Sequence, residues 1–268
     1  MTRILQVTSR DNSRLKEARR VRDGRQRDKI FVEGVRLLEE AVRSQIEIDC
    51  LFVSNEAPAR VAELVQAAGA REIYELGRSA FDSISDTVSS QGILGLAQRP
   101  PQSGRESIEQ ALLTAPLPLV IFLLQTNNPS NLGAIVRTAE AAGTAGVIVS
   151  SGSADPFSPK ALRAAMGSSF RFPIWQDADF DEALEWAAEN RLQTVATERG
   201  ADRSYISMDW KQRCMLVMGS EAHGLSDEEA RRVDLRVSIP IESSVESLNL
   251  AVACGVIVFE ARRQNAVA

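Results

Sequence analysis

The residues of this chain able to do chemistry fall in four short stretches. In Asn128–Gly143, NPSNLGAIVRTAEAAG, Arg137 follows a run of apolar residues. A cation in such a helix must find a partner or reach water, and Glu140 and Glu221 are possible salt-bridge partners. Arg137 is the first candidate for catalysis. Asn131 lies on a different side of an ideal helix, but at the helix cap its side chain can still face the same cleft. In Leu216–Ser226, LVMGSEAHGLS, Gly219 would let a ligand approach the backbone closely. That stretch also carries Glu221 and the chain's single histidine, His223, expected as a solvated loop residue. In Ile239–Arg263, IPIESSVESLNLAVACGVIVFEARR, Glu246 and Ser247 suit a helix start, where free N–H groups can meet a ligand. Ile239 and Leu248 offer apolar walls, with core packing as the plain alternative. Thr197 closes a fourth stretch, the strand Gln193–Thr197.

One histidine leaves no histidine-rich metal site and no Ser-His-Asp triad except through His223. Cys50, Cys214 and Cys254 are far apart among apolar neighbours and read as reduced core residues. The chain of 268 residues is 44% hydrophobic and 25% charged, as expected of a globular protein. No secretory signal and no apolar run able to span a bilayer is evident, so the expected place is the cytoplasm.

Strands alternate with helices along the whole chain, which predicts α/β architecture. Residues 1–99 form a smaller α/β unit, residues 100–117 a Pro- and Gly-containing linker with a short helical run, and residues 118–268 a second α/β unit with a mostly parallel sheet. A strand is expected over Phe170–Ile174. The last helix, from Leu248 to Phe259, is too apolar all round for a surface helix and is placed in a core or a subunit interface.

Net charge is −5, yet residues 1–36 hold eleven Arg or Lys against five acids. Such a basic patch is an electrostatic footprint for nucleic acid. Arg14, Lys16, Arg19, Arg20 and Arg22 of the helix expected over Asn12–Gly24 are the candidate RNA contacts, mostly to phosphates.

The three stretches NPSNLGAIVRTAEAAG, LVMGSEAHGLS and IPIESSVESLNLAVA resemble, in order and spacing, the three motifs of the SpoU/TrmH family of RNA ribose 2′-O-methyltransferases, a branch of the knotted SPOUT enzymes that use S-adenosylmethionine. SRDNSRLKEARRVRD, KIFVEGVRLLEEA and SSQGILGLA are similar to that family's N-terminal substrate-binding domain, itself like an RNA-binding ribosomal-protein fold. The resemblance implies a trefoil knot in the second unit, methyl transfer from S-adenosylmethionine to a ribose 2′-hydroxyl, and a homodimer through the knot region; with the basic N-terminal unit, 23S-type ribosomal RNA is the expected substrate. It implies catalytic roles for Arg137, Asn131, Glu221, Ser247 and Asn249, and donor binding by Gly219, Ile239 and Leu248; Thr197, at the end of its strand, is a further candidate donor contact. Asn128 and Ser130 depart from the family's usual acid and glycine around the first motif's proline, which bears on loop geometry. Transfer RNA stays open as substrate. A non-catalytic RNA-binding protein is the second reading. A nucleotide-dependent oxidoreductase is the weakest, because no GxGxxG turn follows the first strand.

Overall fold

A computed structural model describes residues 3–7, 9–101, 104–242 and 244–266. The elements run β1 (Arg3–Val7), α1 (Ser13–Arg22), β2 (Lys29–Glu33), α2 (Val35–Arg43), β3 (Ile48–Ser54), α3 (Arg60–Ala67), β4 (Glu72–Leu76), α4 (Arg78–Asp82) and β5 (Ile93–Gln98). They continue with α5 (Arg105–Thr114), β6 (Leu119–Leu123), α6 (Pro129–Ala142), β7 (Gly146–Ser150), α7 (Pro159–Ala165), β8 (Ile174–Ala178), α8 (Phe180–Glu189) and β9 (Gln193–Thr197). The last are β10 (Cys214–Met218), α9 (Asp227–Arg232), β11 (Leu235–Val237) and α10 (Leu250–Asn265). The chain divides into two compact units, Met1–Pro101 with Pro156–Arg171, and Gln102–Asp155 with Phe172–Ala268.

The first unit is built on a mixed five-stranded sheet in the order β1-β4-β3-β5-β2. β1, β4 and β3 run parallel, whereas β5 is antiparallel to both β3 and β2. α1 starts at Asn12, whose side chain accepts from the Arg14 N–H, and buries Leu15, Ala18 and Val21. That spacing of three gives one apolar stripe, which packs with Phe31, Phe52 and Phe81. A second core on this unit takes in Phe157, Leu162 and Phe170 alongside Ile30, Leu38 and Leu51. The chain therefore leaves the second unit after β7, inserts α7 and a short 3-10 turn (Ser168–Phe170) into the first unit's core, and returns. β1 was not anticipated. The strand expected over Phe170–Ile174 is instead that turn followed by β8, which starts after Pro173, a residue with no N–H for a ladder.

The second unit holds a six-stranded sheet, all parallel, in the order β11-β9-β10-β6-β7-β8. Its central strands are nearly all apolar because both faces are covered: every residue of β6, β7 and β10 is buried. One face packs on α6 and α10, joining Leu132, Ile135 and Val136 to Cys254, Ile257 and Val258. The other packs on α5 and α8, where Ile108 and Leu112 meet Trp175 and Trp186. The stretch expected as a linker thus carries a helix that contributes to a core. α10 buries only one face. Val252 is 53% exposed and Phe259 51%, two turns apart on the outer side.

Candidate active site

In a parallel sheet all strand ends of one kind lie on one edge, and ligands settle where the strand order reverses. Here that point lies between β6, from which the chain runs outward to β7 and β8, and β10, which adjoins β9 and β11. Chain segments that follow β9, β10 and β11, with the first turn of α6, surround a cavity of about 730 Å³. Such a volume suits a small-molecule site. Asn131, Glu221, Ser247, Asn249, Thr197, Gly219, Ile239 and Leu248 all line it, although they come from four separate stretches.

Each is positioned by its element. Asn131 stands in the first turn of α6, but it is not the cap. Asn128 is the cap: its Oδ1 accepts from the Ser130 N–H at 2.9 Å and the Asn131 N–H at 3.4 Å, with Pro129 at the first helical position. Pro suits that place because its missing N–H would be unpaired anyway. Asn128, a departure from the family's pattern, therefore does a helix cap's work and leaves the Asn131 side chain free. Asn131 Nδ2 donates to Glu221 Oε1 at 3.0 Å, and Asn131 Oδ1 accepts from Asn249 Nδ2 at 3.0 Å. Glu221 Oε2 accepts from the Asn127 N–H at 3.1 Å. The three motifs thus meet in one chain of hydrogen bonds, Asn249 to Asn131 to Glu221 to the turn before α6.

The start of the last helix also differs from expectation. Asn249, not Glu246 or Ser247, caps α10: its Oδ1 accepts from Ala251 N–H at 2.9 Å and Val252 N–H at 3.3 Å. One amide side chain therefore caps α10 and binds α6 at once. Glu246 and Ser247 lie before the cap, exposed, on the cavity wall.

Gly219 lines the cavity and has a structural reason as well. A Cβ there would stand 2.3 Å from the Gly224 carbonyl carbon and 2.5 Å from the Leu225 nitrogen. Glycine is needed so that the loop can close on itself: Ser220 and Gly224 exchange backbone hydrogen bonds of 3.1 and 2.9 Å. Gly224 itself has a φ of +66°. Thr197 Oγ1 donates to Met218 Sδ at 3.6 Å, tying the ends of β9 and β10. His223 is exposed in the closed loop and lines the cavity. Glu198 and Arg199 also line it and were not anticipated; their place directly after Thr197 was the available signal.

Arg137 is not part of the cavity wall. It is exposed, and among the described residues it has neither a hydrogen bond nor an ion pair, so neither proposed salt bridge is made. Glu221 is engaged with Asn131 and Asn127 instead.

On the first unit, the five basic residues expected to meet RNA divide. Arg14 donates to Glu17, Glu72 and the Tyr74 hydroxyl. The Glu17 hydrogen bond leads in raising its pKa, burial opposes, and Tyr74 and Glu72 add to the rise. Arg22 pairs with Asp23 and donates to the Ser83 and Ser85 carbonyls. Arg19 donates to the Arg10 carbonyl at 2.6 Å. Lys16 is exposed, 3.2 Å from exposed Asp11, and Arg20 is exposed.

The sequence profile described as the SpoU rRNA methylase family matches residues 118–259. A profile described as an MRM3-like substrate-binding domain matches residues 12–95. The chain is 30% identical, over 96% of its length and 99% of the relative, to the 23S rRNA (guanosine(2553)-2′-O)-methyltransferase RlmP of Bacillus subtilis. It is 28% identical, over 90% of its length and 99% of the relative, to the 23S rRNA (guanosine-2′-O-)-methyltransferase RlmB of Shewanella oneidensis. Among solved structures, an AdoMet-bound rRNA methyltransferase from Sinorhizobium meliloti superposes with a TM-score of 0.81 at 29% identity, covering 99% of both chains. The SpoU methyltransferase AviRb from Streptomyces viridochromogenes, in complex with AdoMet, gives 0.83 at 26% identity, covering 94% of this chain and 98% of that one.

Proposed function

The chain belongs to the SpoU rRNA methylase family, and from that premise we propose that it is an S-adenosylmethionine-dependent methyltransferase acting on a ribose 2′-hydroxyl of 23S-type ribosomal RNA. The observation that carries this reading is the convergence of three distant motifs on one cavity, joined by the Asn249–Asn131–Glu221 hydrogen bonds.

The cavity suits the donor in size and character. Ile239 and Leu248 supply apolar wall, the closed Gly219–Gly224 loop supplies main-chain groups, and Thr197 stands at a strand end. When bound, S-adenosylmethionine supplies a methyl group activated by its sulfonium charge. The protein's task is to place the ribose against it, and positioning can account for several kcal/mol of a barrier. Glu221 has each carboxylate oxygen taken by a donor, Asn131 or Asn127. It acts by holding the amides in place. Ser247 and Asn249, on the same wall, hold the target ribose or its phosphate. Arg137 carries a guanidinium that stays protonated in proteins. It orients an RNA phosphate and stabilises the ribose oxygen as its proton passes to solvent water.

Lys16 and Arg20, the exposed cations of α1, meet RNA phosphates and set position without reading sequence; Arg19 lies between them, while Arg14 and Arg22 shape the surface they stand on. The active form is a homodimer in contact through the outer face of α10, supported by the exposed Val252 and Phe259.

The test is transfer of labelled methyl from S-adenosylmethionine to purified ribosomal and transfer RNA, read as alkali-resistant dinucleotides. Label in 23S ribosomal RNA is the expected result. Label in transfer RNA alone would overturn the substrate, and donor binding with no transfer to either RNA would favour the RNA-binding reading.

A further inference from the structure

The turn joining β6 to α6 carries Asn127, Asn128 and Asn131 into the site, and its own backbone is unusual. Gln125 has a φ of +49°, a left-handed conformation that a non-glycine residue adopts only when its surroundings hold it there. What holds it lies one strand away. The Gln125 N–H donates to Ser150 Oγ at 2.8 Å, at the end of β7, and the next N–H, of Thr126, donates to Ser153 Oγ at 3.1 Å. The two hydroxyls are themselves 3.1 Å apart. The following N–H, of Asn127, donates to Glu221. Three successive donors are thus taken by side chains from the β7 end and from the second motif. Ser150 and Thr126 are both buried, so water does not readily replace these bonds. Two backbone bonds reinforce them, Ala154 N–H to the Thr126 carbonyl at 2.8 Å and Ser153 N–H to the Ser150 carbonyl at 3.2 Å.

We infer that Ser150 and Ser153 are positioning residues for the methyl transfer, a hydroxyl pair that fixes the Gln125–Asn127 turn and through it the Asn131–Glu221 contact. The inference rests on the function proposed above. Neither serine lines the cavity, so neither touches donor or RNA there. Their effect passes through the main chain of the turn. Losing either hydroxyl leaves a partly buried N–H without its acceptor and lets Gln125 relax towards an ordinary φ. The turn then shifts, and Asn127 and Asn131 no longer meet Glu221 together.

The experiment compares wild type, Ser150→Ala, Ser153→Ala and Ser153→Thr. Turnover at saturating S-adenosylmethionine and ribosomal RNA, the donor's Kd by calorimetry, and hydrogen exchange of the Gln125–Asn127 amides are measured for each. Ser153 is only partly buried, so its variants stay interpretable if Ser150→Ala folds poorly. Each alanine is expected to lower turnover by roughly tenfold to a hundredfold, the cost of a small misplacement at a reacting site. Donor Kd stays within about twofold, because the Ser220–Gly224 backbone bonds keep the donor loop closed without the turn, and the three amides exchange faster. Ser153→Thr, which keeps the hydroxyl, restores turnover. Faster exchange with unchanged turnover would make the pair merely stabilising and overturn the inference, as would a parallel loss of donor affinity. No transfer by wild type would overturn the proposed function, and this inference with it. Wild-type transfer unaffected by either alanine would overturn the inference alone.

Discussion

On the mixed sheet of the first unit, Arg14 and Lys29 form ion pairs with Glu17, Asp49 and Glu72; on the parallel sheet of the second, Asn131, Glu221 and Asn249 bond to one another around an open cavity. Both are polar clusters built from residues distant in sequence. They differ in what surrounds them. The first is a charged network joining α1 to β2, β3 and β4, and it holds helix to sheet. The second sits past the carboxyl ends of strands, where the backbone stops pairing with itself and polar groups face a space. Polar convergence alone therefore does not identify a site; convergence at a strand-order reversal, around a cavity, does.

The hardest attempt to break this contrast is Arg137→Ala. Arg137 is exposed and makes no hydrogen bond or ion pair within the described residues, so folding is expected to be unchanged while turnover falls on the order of a hundredfold. Arg137→Lys should not restore it, since an ammonium cannot match the guanidinium's fork on a phosphate. A full-turnover Arg137→Ala enzyme would place catalysis wholly on the cavity wall.

Gly219→Ala comes next. The added methyl meets the Gly224 main chain, so the closed loop must open. Thermal unfolding should show a loss of about 1–3 kcal/mol, and calorimetry a loss of S-adenosylmethionine binding. Retained donor affinity would show that the loop's closure is dispensable to the cavity.

The first unit is tested by pairing Arg14→Ala with Lys16→Glu/Arg20→Glu. Arg14→Ala should lower the unfolding midpoint, because Glu17 and Glu72 lose a partner, with little change in RNA affinity. The double charge reversal should leave the midpoint alone and weaken RNA binding, lowering the salt slope of log K by roughly one for each lost phosphate contact. If Arg14→Ala weakens RNA binding as strongly, the division of α1 into structural and RNA-facing cations fails.

The smallest effect is in pH. Burial pushes the Glu17 carboxyl up, but the hydrogen bonds from Lys29 and Arg14 outweigh it and hold the group below its ordinary 4.5. A carboxyl lowered on folding stabilises the native state above its unfolded value and loses that contribution as pH falls through its folded value. The midpoint gap between wild type and Glu17→Gln should therefore be full near neutrality and close with acidification below about pH 4.5. A gap independent of pH would mean that Glu17 contributes by packing alone.

Much of this architecture was legible because its signals are local. The apolar runs of β6, β7 and β10 announce buried parallel strands, and NPSNLGAIVRTAEAAG announces a helix that ends at a glycine. What escaped is set by distant partners. β1 is a five-residue strand whose only neighbour in the sheet is β4, and nothing in RILQV names that neighbour. Eight of the named site residues line one cavity, but the local structural work around them fell to other residues than expected. Capping by Asn128 and Asn249 was assigned to neighbouring residues, because Asn, Ser and Glu compete for the same N–H groups and only geometry decides. Gly219 was expected only as a ligand contact, while it also carries the constraint of a loop closing on itself. The standing of Arg137 outside the cavity wall could not be read from spacing at all.

The excursion of Pro156–Arg171 into the first unit has a consequence for how the protein is made. The two units are interleaved along the chain, so the polypeptide passes from one to the other three times. During synthesis the first unit cannot complete its core when residue 101 emerges. It lacks Phe157, Leu162 and Phe170 until β6, α6 and β7 of the other unit have already been made. Neither unit is a contiguous segment that could be exchanged between related enzymes by a single recombination, and a single nick near residue 102 would leave the halves joined by two further strands of chain. Substrate recognition and chemistry are thus assembled together, late, and inherited as one piece.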